Sequence, residues 1–548
     1  MLLIDGCDIL TPDAPRSRRE NQSILIDDNR IVAIGPAGFE RSASWEGSEG
    51  SASSEGSEGS EGSEGSKRSK PYEPYKPSEP YEPSQPYELS NLQTLDARGL
   101  LAIPGLINAH THTPENYMRG ATQCMPLEPW LVWLYALCGE YTPRDHYLCS
   151  ALSAIEMLQS GCTATLDHFW HGGPWNREVL DAGMQANKDA GIRATLAPMY
   201  DDHDYVLDAA DALGIDLRGS VYGMAHGGYR LDRDDFRRGI LKDNLVLFDE
   251  WMRDWHMSEN GRLQCFLGPA AGQLVTTDCL QRSFELARKY GAGVHMHCVE
   301  TRVQDYCIRQ THSKSIIHWL YDEDLLAPDF TLPHSVWIRS IEDLDRLAEK
   351  GAIPVHNPAA NLKLGSGLMA MREMLQRNIT VALGVDGACS SDNQSMWDAI
   401  KLAALVHNLK DIDPASWVTA REAFEIGTQG GAAALLMHGQ LGQLKVGQLA
   451  DIALLDMRNP VLAPMNDAYG MLVHCETGSS VKHVVVNGDL VVKDKQLLTI
   501  NVDDIIGEFS ERVQHLPFRQ PVDTATQKDI DDCYSFWWKV MKREEIRN

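Results

Sequence analysis

The chain has 548 residues and a mass of 61.0 kDa, which is too long for one small core and predicts a large barrel with additions or several domains. Its 77 acidic and 50 basic residues give a formal net charge of −27, which argues against a nucleic-acid partner because phosphate binding needs clustered lysine and arginine. A mean hydropathy of −0.30 and the lack of any apolar run of 18 residues argue against a membrane span.

The amino-terminal sequence predicts a cytoplasmic protein. The first six residues contain no basic segment followed by a long apolar one, so a secretory signal is not expected. The 12 cysteines form no C-x-x-C pair, and their number is ordinary for a reducing compartment.

The first hundred residues combine strands with a low-complexity segment. Residues 23–27 and 30–35 predict a hairpin, and residues 92–96 predict a further strand. Between them, at about 41–90, Ser-Glu-Gly triplets give way to triplets with a proline at every third position. Such a composition cannot bury enough apolar surface to fold, so we interpret it as a tolerated insertion, with a docking motif as the alternative.

The middle of the chain alternates strands with amphipathic helices. The candidate strands are 101–112, 162–169, 192–200, 262–270, 292–300, 330–338, 352–358 and 379–387. Eight such units over about 340 residues predict an α/β protein with a (β/α)₈ TIM-like barrel, and a doubly wound sheet is the alternative.

Strand patterns return near the carboxyl terminus, at residues 450–456 and 481–488. Strands at both chain ends predict a small β-sandwich that they build together. The expected division is 1–100 for the first part of the sandwich, 101–445 for the barrel, 446–500 for the second part and 501–548 for a helical extension. Residues 529–547 of this extension look helical and are expected to cover the barrel or a partner subunit.

Polar residues stand where several predicted barrel strands end, which is where barrel enzymes carry their catalytic groups. His110 and His112 have the i, i+2 spacing that puts two imidazoles on one side of a strand. The other candidates are His295, His297, Glu300, His334 and Asp386. Two or three imidazoles and a carboxylate suit a divalent metal with an open position for water, such as zinc or iron(II).

The segment from Ile103 to His112, continued by Met118-Arg119-Gly120, resembles the opening motif of the amidohydrolase superfamily. The resemblance is closest to the branch that contains cytosine-deaminase-like enzymes, S-adenosylhomocysteine and guanine deaminases, and s-triazine hydrolases. Further matching segments are 297–301, 356–367, 383–387, 447–451 and 486–488. Together they cover roughly residues 1–40 and 90–500 in the family's order.

The resemblance implies roles for individual residues. The ligands of a single metal ion, zinc first and iron(II) second, would be His110, His112, His297 and Asp386. His297 is preferred to His295 because it precedes Glu300 in the family's H-x-x-E pattern. Glu300 and His334 match the acid/base pair. Val385 replaces the family's usual threonine, which removes a hydroxyl group near the site.

The implied chemistry is attack of an activated water on an amidine carbon. Asp386 would accept the proton of the water, Glu300 would protonate a ring nitrogen, and His334 would hold the water and stabilise the developing charge. The resemblance also makes Glu128 and Trp130 the candidate substrate-binding residues, because they lie where nucleoside-deaminating relatives have a glutamate and a tryptophan lining the pocket. Trp130 could stack on a planar ring and Glu128 could bind hydroxyl or cationic groups, and the alternative is that Trp130 only packs within a helix.

The sequence thus predicts a metal-dependent aminohydrolase acting on a small nitrogen heterocycle. The alternatives are a cyclic-amide or ureide amidohydrolase, in ring opening or ring closure, a hydrolytic dechlorinase of a triazine-like ring, and a degenerate binding or scaffold protein. Because relatives in this branch are often dimers or larger, a homo-oligomer is expected.

Overall fold

The structure is a computed structural model that describes residues 1–38, 92–138, 141–217 and 233–544. The insertion predicted at about 41–90 lies outside the described residues. The strands are β1 (Leu2–Leu10), β2 (Arg18–Asp27), β3 (Arg30–Pro36), β4 (Gln93–Asp96), β5 (Leu100–Pro104), β6 (Leu106–Thr111), β7 (Cys162–Phe169), β8 (Arg193–Tyr200), β9 (Leu263–Cys265), β10 (Gly268–Pro269), β11 (Val294–His295), β12 (Phe330–Pro333), β13 (Ile353–His356), β14 (Ala382–Leu383), β15 (Ile452–Asp456), β16 (Val481–Val486), β17 (Asp489–Lys493) and β18 (Gln496–Leu497).

The helices are α1 (Leu127–Leu137), α2 (Pro143–Gln159), α3 (Arg177–Ala190), α4 (Tyr205–Ala212), α5 (Arg233–Trp255), α6 (Thr277–Tyr290), α7 (Arg302–His312), α8 (Ile316–Asp322), α9 (Ile341–Lys350), α10 (Pro358–Lys363), α11 (Met371–Leu375), α12 (Met396–Val406), α13 (Ala420–Glu425), α14 (Gly431–Ala434), α15 (Ala468–His474), α16 (Val502–Arg512) and α17 (Thr524–Glu544). Short 3₁₀ segments connect several of these elements, among them Thr113–Met118 between β6 and α1.

Strands from both chain ends come together, as the sequence predicts, and they pair in one nine-stranded sheet where the sequence predicts a small β-sandwich. Its order is β18-β17-β16-β15-β5-β1-β2-β3, and β4 also pairs with β1. The predicted hairpin is present, with β2 and β3 antiparallel and Asp28 in the turn at a φ of 48°. The two halves of the sheet meet where β5 pairs with β15.

The parallel strands between these ends form a barrel. β6, β7, β8 and β10 make one parallel sheet, with β9 also paired to β8, and β11 to β14 make another. A parallel bridge between Leu267 and Val294 joins the two sheets at one edge. At the other edge, the backbone N–H of Asp386 donates to the carbonyl oxygen of His110 over 2.9 Å. The predicted (β/α)₈ architecture therefore describes the chain, and an open doubly wound sheet does not.

Several predicted strands are divided or shorter in the structure. The segment 101–112 forms two strands, β5 in the end sheet and β6 in the barrel, and Gly105 separates them. A Cβ atom at Gly105 would lie 2.1 Å from Oγ1 of Thr163, so only glycine fits this crossing. β12 ends directly before His334, which adopts a left-handed backbone angle with a φ of 68°. Asp386, three residues after the end of β14, also has a left-handed angle, with a φ of 70°.

The barrel helices begin and end at residues suited to those positions. The α6 helix begins after Thr276, whose hydroxyl group accepts a hydrogen bond from the N–H of Cys279 over 3.2 Å, and it ends at Gly291 with a φ of 69°. The α9 helix has the same arrangement with Ser340 and Gly351. Such caps pair the free backbone groups of the first and last turns.

The carboxyl-terminal helices pack on the outside of the barrel. The predicted helix at 529–547 is α17, which lies against α1 and α7. Its buried residues belong to the same apolar cluster as Trp130 and Leu134 of α1, and they are Ile530, Cys533, Phe536 and Val540. The extension therefore covers the helix next to the barrel mouth. Within the described part of the chain, no helix is both long enough and apolar enough to cross a membrane.

A buried ion pair connects the barrel to the end sheet. Arg193 at the start of β8 donates two hydrogen bonds of 2.9 Å to the carboxylate of Asp451, which precedes β15. The Arg193 side chain is 1% exposed and that of Asp451 3% exposed. Asn487 also accepts a hydrogen bond from this guanidinium group.

Replacing Arg193 with methionine is therefore expected to lower the free energy of unfolding by about 3–5 kcal/mol, because it leaves the buried Asp451 carboxylate without its partner. Denaturant unfolding of the full chain measures this change. The matched control is Arg98→Ala, which removes an ion pair to Asp96 with both side chains mostly exposed. Equal stability of the two variants would contradict a structural role for the Arg193 pair.

Candidate active site

Three imidazoles meet at the carboxyl-terminal ends of β6 and β11. His110 lies within β6, His112 directly follows β6, and His297 lies two residues after the end of β11. The Nε2 atoms of His112 and His297 are 3.0 Å apart, and Nε2 of His110 is buried without a hydrogen-bond partner among the described residues. The spacing of His110 and His112 thus brings both rings to one point, with ring centroids 4.8 Å apart.

Hydrogen bonds behind two of these rings determine which nitrogen carries the proton. Nδ1 of His112 donates to the carbonyl oxygen of His168 over 2.6 Å, and Nδ1 of His297 donates to that of Ala270 over 2.5 Å. A carbonyl oxygen can only accept, so the proton of each neutral ring lies on Nδ1. Both Nε2 atoms therefore present lone pairs to the centre of the site.

A short relay gives His110 the same orientation. The hydroxyl group of Thr331 donates to the carbonyl oxygen of Val294 over 3.2 Å, so its oxygen accepts from Nδ1 of His295 over 2.6 Å. Nε2 of His295 then accepts from Nδ1 of His110 over 2.8 Å. His110 keeps its Nε2 lone pair, whereas both nitrogens of His295 are used in holding its neighbour.

The carboxylate of Asp386 lies beside these lone pairs. Its Oδ1 atom is 3.3 Å from Nε2 of His110 and 3.4 Å from Nε2 of His112. Burial lowers the pKa of His110 to about 3 and also lowers that of His112, which keeps both rings neutral. Three neutral imidazoles and a carboxylate around one point fit a divalent cation, because lone pairs that face each other without a proton need a positive charge between them.

Glu300 and His334 form a second pair next to this cluster. Oε2 of Glu300 lies 3.6 Å from Nε2 of His334, which in turn is 4.0 Å from Oδ2 of Asp386. Ser366 donates to Oε1 of Glu300 over 2.7 Å, and Asn361 accepts from Nδ1 of His334 over 2.9 Å. Burial raises the pKa of Glu300, which favours its protonated form.

The cluster lies at the bottom of a pocket with an aromatic and aliphatic wall. Trp130 lines the pocket, and its indole N–H donates to the hydroxyl group of Thr122 over 3.1 Å. Other lining residues are Leu127, Leu131, Leu134, Tyr135, Trp170, Met199, Gln273, Gln304 and Leu364. Glu128 lies behind this wall, where one carboxylate oxygen accepts from Thr301 and the other is buried without a partner among the described residues.

Some residues at the site were not singled out from the sequence. His168, at the end of β7, belongs with His110, His112 and His297 to a group of side chains whose ligand atoms lie within 4.8 Å of one another. The sequence signal that could have identified His168 is its position at the end of a predicted strand. Glu115, three residues after His112, also lines the pocket. Asn361 lies in α10 and Ser366 in the loop after it, both within the matching segment 356–367, and the folded structure brings them to His334 and Glu300.

Known proteins with similar sequences align with most of this chain. The 5'-deoxyadenosine deaminase of Methanosarcina mazei is 30% identical over 426 residues, which are 78% of this chain and 88% of that protein. The 5-methylthioadenosine/S-adenosylhomocysteine deaminase of Caldanaerobacter subterraneus subsp. tengcongensis is 30% identical over 423 residues, covering 77% and 88%.

Solved structures share the fold. Atrazine chlorohydrolase from Arthrobacter aurescens, complexed with zinc, matches with a TM-score of 0.72 and 23% identity over 94% of this chain and 100% of that one. An adenosine deaminase from Xanthomonas campestris with bound zinc matches with a TM-score of 0.70 and 19% identity, covering 94% and 98%. At these identities the likeness shows the architecture.

The family match covers the barrel and part of the end sheet. Residues 101–491 match the Amidohydrolase family, which is more than half of the chain, and they include every residue of the histidine and carboxylate cluster described above. The resemblance seen in the sequence motifs is thereby confirmed, and the chain belongs to the amidohydrolase family.

Proposed function

We propose that this chain is a metal-dependent aminohydrolase that replaces the amino group of a nitrogen heterocycle with a carbonyl oxygen and releases ammonia. The observation that carries the proposal is the convergence of three Nε2 lone pairs and the Asp386 carboxylate beside Glu300, in a pocket walled by Trp130. The named relatives act on 5'-deoxyadenosine and related nucleosides, so an adenine nucleoside is the first candidate substrate.

The proposed metal ligands are His110, His112, His297 and Asp386. Zinc is the first candidate because imidazole nitrogen with one carboxylate suits its preferences, and iron(II) is the second. A divalent cation held by these residues would lower the pKa of a water molecule bound to it, so that hydroxide would be available at neutral pH. His295 is assigned a positioning role, because both of its ring nitrogens are engaged by His110 and Thr331.

The remaining residues are proposed to move protons. Oδ2 of Asp386, which faces His334, accepts the proton of the attacking water. Glu300 gives a proton to the ring nitrogen next to the attacked carbon, so that the ring stays neutral as the new C–O bond forms. His334 orients the water and stabilises the developing negative charge. Asp386 then passes its proton to the amino group, which leaves as ammonia when the C–N bond breaks. The new hydroxyl group returns a proton to Glu300 as it becomes the carbonyl group of the product.

Substrate recognition is assigned to the pocket wall. Trp130 is proposed to pack on the heterocycle, since it lines the pocket and its ring is fixed by the hydrogen bond to Thr122. Glu128 stays a predicted substrate-binding residue, but it lies behind the pocket wall and outside the residues that line the pocket. The domain division, the cytoplasmic location and the homo-oligomer expected from the sequence stay predictions.

A substrate panel tests this proposal. With the purified, zinc-loaded chain, ammonia release is expected to be fastest from 6-aminopurine nucleosides. It is expected to be slower from guanine, pterins and amino-triazines. Ammonia is measured by a coupled assay and chloride by ion chromatography, with chloro-triazines in the same panel. Ring opening of ureides without ammonia, or chloride release alone, would replace the proposal by one of the alternatives.

A further inference from the structure

Glu115 is a carboxylate of the pocket that the proposed chemistry does not use. It belongs to the 3₁₀ segment Thr113–Met118, directly after His112, and its residue surface is only 5% exposed. It lines the same pocket as Glu300 and Asp386. The pocket therefore contains a third carboxyl group, to which the proposed chemistry assigns no role.

The backbone on the other side of the pocket holds this side chain in position. Oε2 of Glu115 accepts a hydrogen bond from the N–H of Cys389 over 3.2 Å, and the N–H of Ser390 also faces the carboxylate. A Cβ atom at Gly387 would lie 1.9 Å from Oε2, so the glycine after Asp386 provides the space that Glu115 occupies. The carboxylate is thus fixed beside one of the proposed metal ligands.

No side chain of the described residues neutralises Glu115 by direct contact. The nearest relevant cation is Lys363, whose ammonium group donates instead to the carbonyl oxygen of Cys389 over 2.9 Å and to Asp392 over 2.5 Å. A carboxylate offers about four acceptor positions. Burial, and after it the neighbouring Asp386, raises the pKa of Glu115. In either protonation state the two backbone donors leave acceptor positions on this side chain, which lines the pocket.

A donor on a ligand in the pocket can fill an acceptor position that the backbone leaves open on Glu115, and this hydrogen bond favours binding of that ligand. A group with an N–H can make this bond, whereas a chlorine, a carbonyl oxygen or a methyl group cannot. We propose that Glu115 is a specificity determinant whose carboxylate accepts a hydrogen bond from the amino group of the heterocycle. This inference rests on the proposed function, because it assumes that the heterocycle lies between Glu115 and Glu300.

The test is a pair of ligands that differ in this one donor. Adenine ribonucleoside carries the amino group, and 6-methylpurine ribonucleoside carries a methyl group of similar size. Their dissociation constants are measured by calorimetry on the zinc-loaded full chain in a Glu300→Gln background, where turnover is slow. Glu115→Gln is the variant, since its amide oxygen can still accept from Cys389 while its NH₂ group then faces the pocket.

The matched control is Glu476→Gln. Glu476 is 2% exposed and accepts hydrogen bonds from the N–H groups of Thr477 and Ser480, over 3.0 and 3.2 Å, outside the pocket. The chain with Glu115 intact, and the Glu476→Gln chain, are expected to bind the amino ligand at least about tenfold more tightly than the methyl ligand. In Glu115→Gln this preference is expected to disappear, with zinc content unchanged, and in Glu115→Met it is expected to reverse.

The outcomes separate this inference from the proposed function. A preference for the amino ligand that depends on Glu115, in a chain that releases no ammonia, would support the inference and reject the proposed function. Ammonia release with an unchanged preference in Glu115→Gln would do the opposite. If Glu115→Gln weakened the binding of both ligands equally and also lost zinc, Glu115 would only support the turn at Gly387, and the inference would be overturned.

Discussion

The variant His110→Ala is expected to contain no zinc and to lose at least about four orders of magnitude in kcat/KM. The Nε2 atom of His110 is buried, carries a lone pair and lies 3.3 Å from Asp386, so its removal leaves the proposed site with two imidazoles and one carboxylate. Without the cation, hydroxide at neutral pH is no longer available to the substrate, since the pKa of water returns from about 7 towards 15.7. Metal analysis of the purified variant and its rate of ammonia release measure both effects.

A second buried histidine serves as the control for this experiment. His483 in β16 of the end sheet is 3% exposed, and its Nδ1 accepts from the N–H of Asp494 over 3.1 Å. His483→Ala is expected to lower stability while it keeps one zinc per chain. A His110→Ala variant with a full zinc complement and native activity would reject the assigned ligand set.

The variant Glu300→Gln is expected to lower kcat by about 10²–10⁴-fold while zinc stays bound. The amide has nearly the same size and can still accept from the Ser366 hydroxyl group, but it has no proton to transfer to the ring nitrogen. Because Glu300 is not a proposed ligand, the metal content should equal that of the unmodified chain. Steady-state kinetics with the best substrate of the panel, together with metal analysis, test this.

The Glu476→Gln variant again controls for the loss of a buried carboxylate. Its kcat is expected to stay within about twofold of the unmodified chain, as substitutions remote from the reacting atoms usually leave the chemical step unchanged. If Glu300→Gln kept its full kcat, proton transfer would have to be assigned to another group. Loss of zinc in Glu300→Gln would instead place this residue among the groups that hold the metal.

Much of the proposed site could be predicted because it follows simple periodicity. In a strand, residues i and i+2 share a side, so His110 and His112 had to point together wherever β6 lies. The ends of parallel strands meet at one face, which also accounts for Asp386 and His334. The family's motif favoured His297 over His295 as a metal ligand. The structure supplies a physical reason, because both ring nitrogens of His295 are hydrogen-bonded, to Thr331 and to His110.

Other features depend on contacts between distant segments and could not be predicted. The sequence predicts one strand at 101–112 and locates its end. The division of this segment into two strands at Gly105 follows from the proximity of Thr163, which lies 58 positions later in the chain. Likewise, Glu128 and Trp130 look equivalent in the sequence, yet only Trp130 lines the pocket, because α1 presents the two side chains in different directions.

The sequence by itself determined the fold class, the order of the strands along the chain and the residues whose side chains are suited to bind a metal ion. These properties are local, since each follows from periodicity or from the type of a residue near a strand end. The tertiary structure decided which nitrogen of each imidazole faces the centre, which carboxylates surround the pocket and what supports them. These depend on hydrogen bonds such as those from Cys389 to Glu115 and from Ser366 to Glu300, and such partners become neighbours only when the barrel closes.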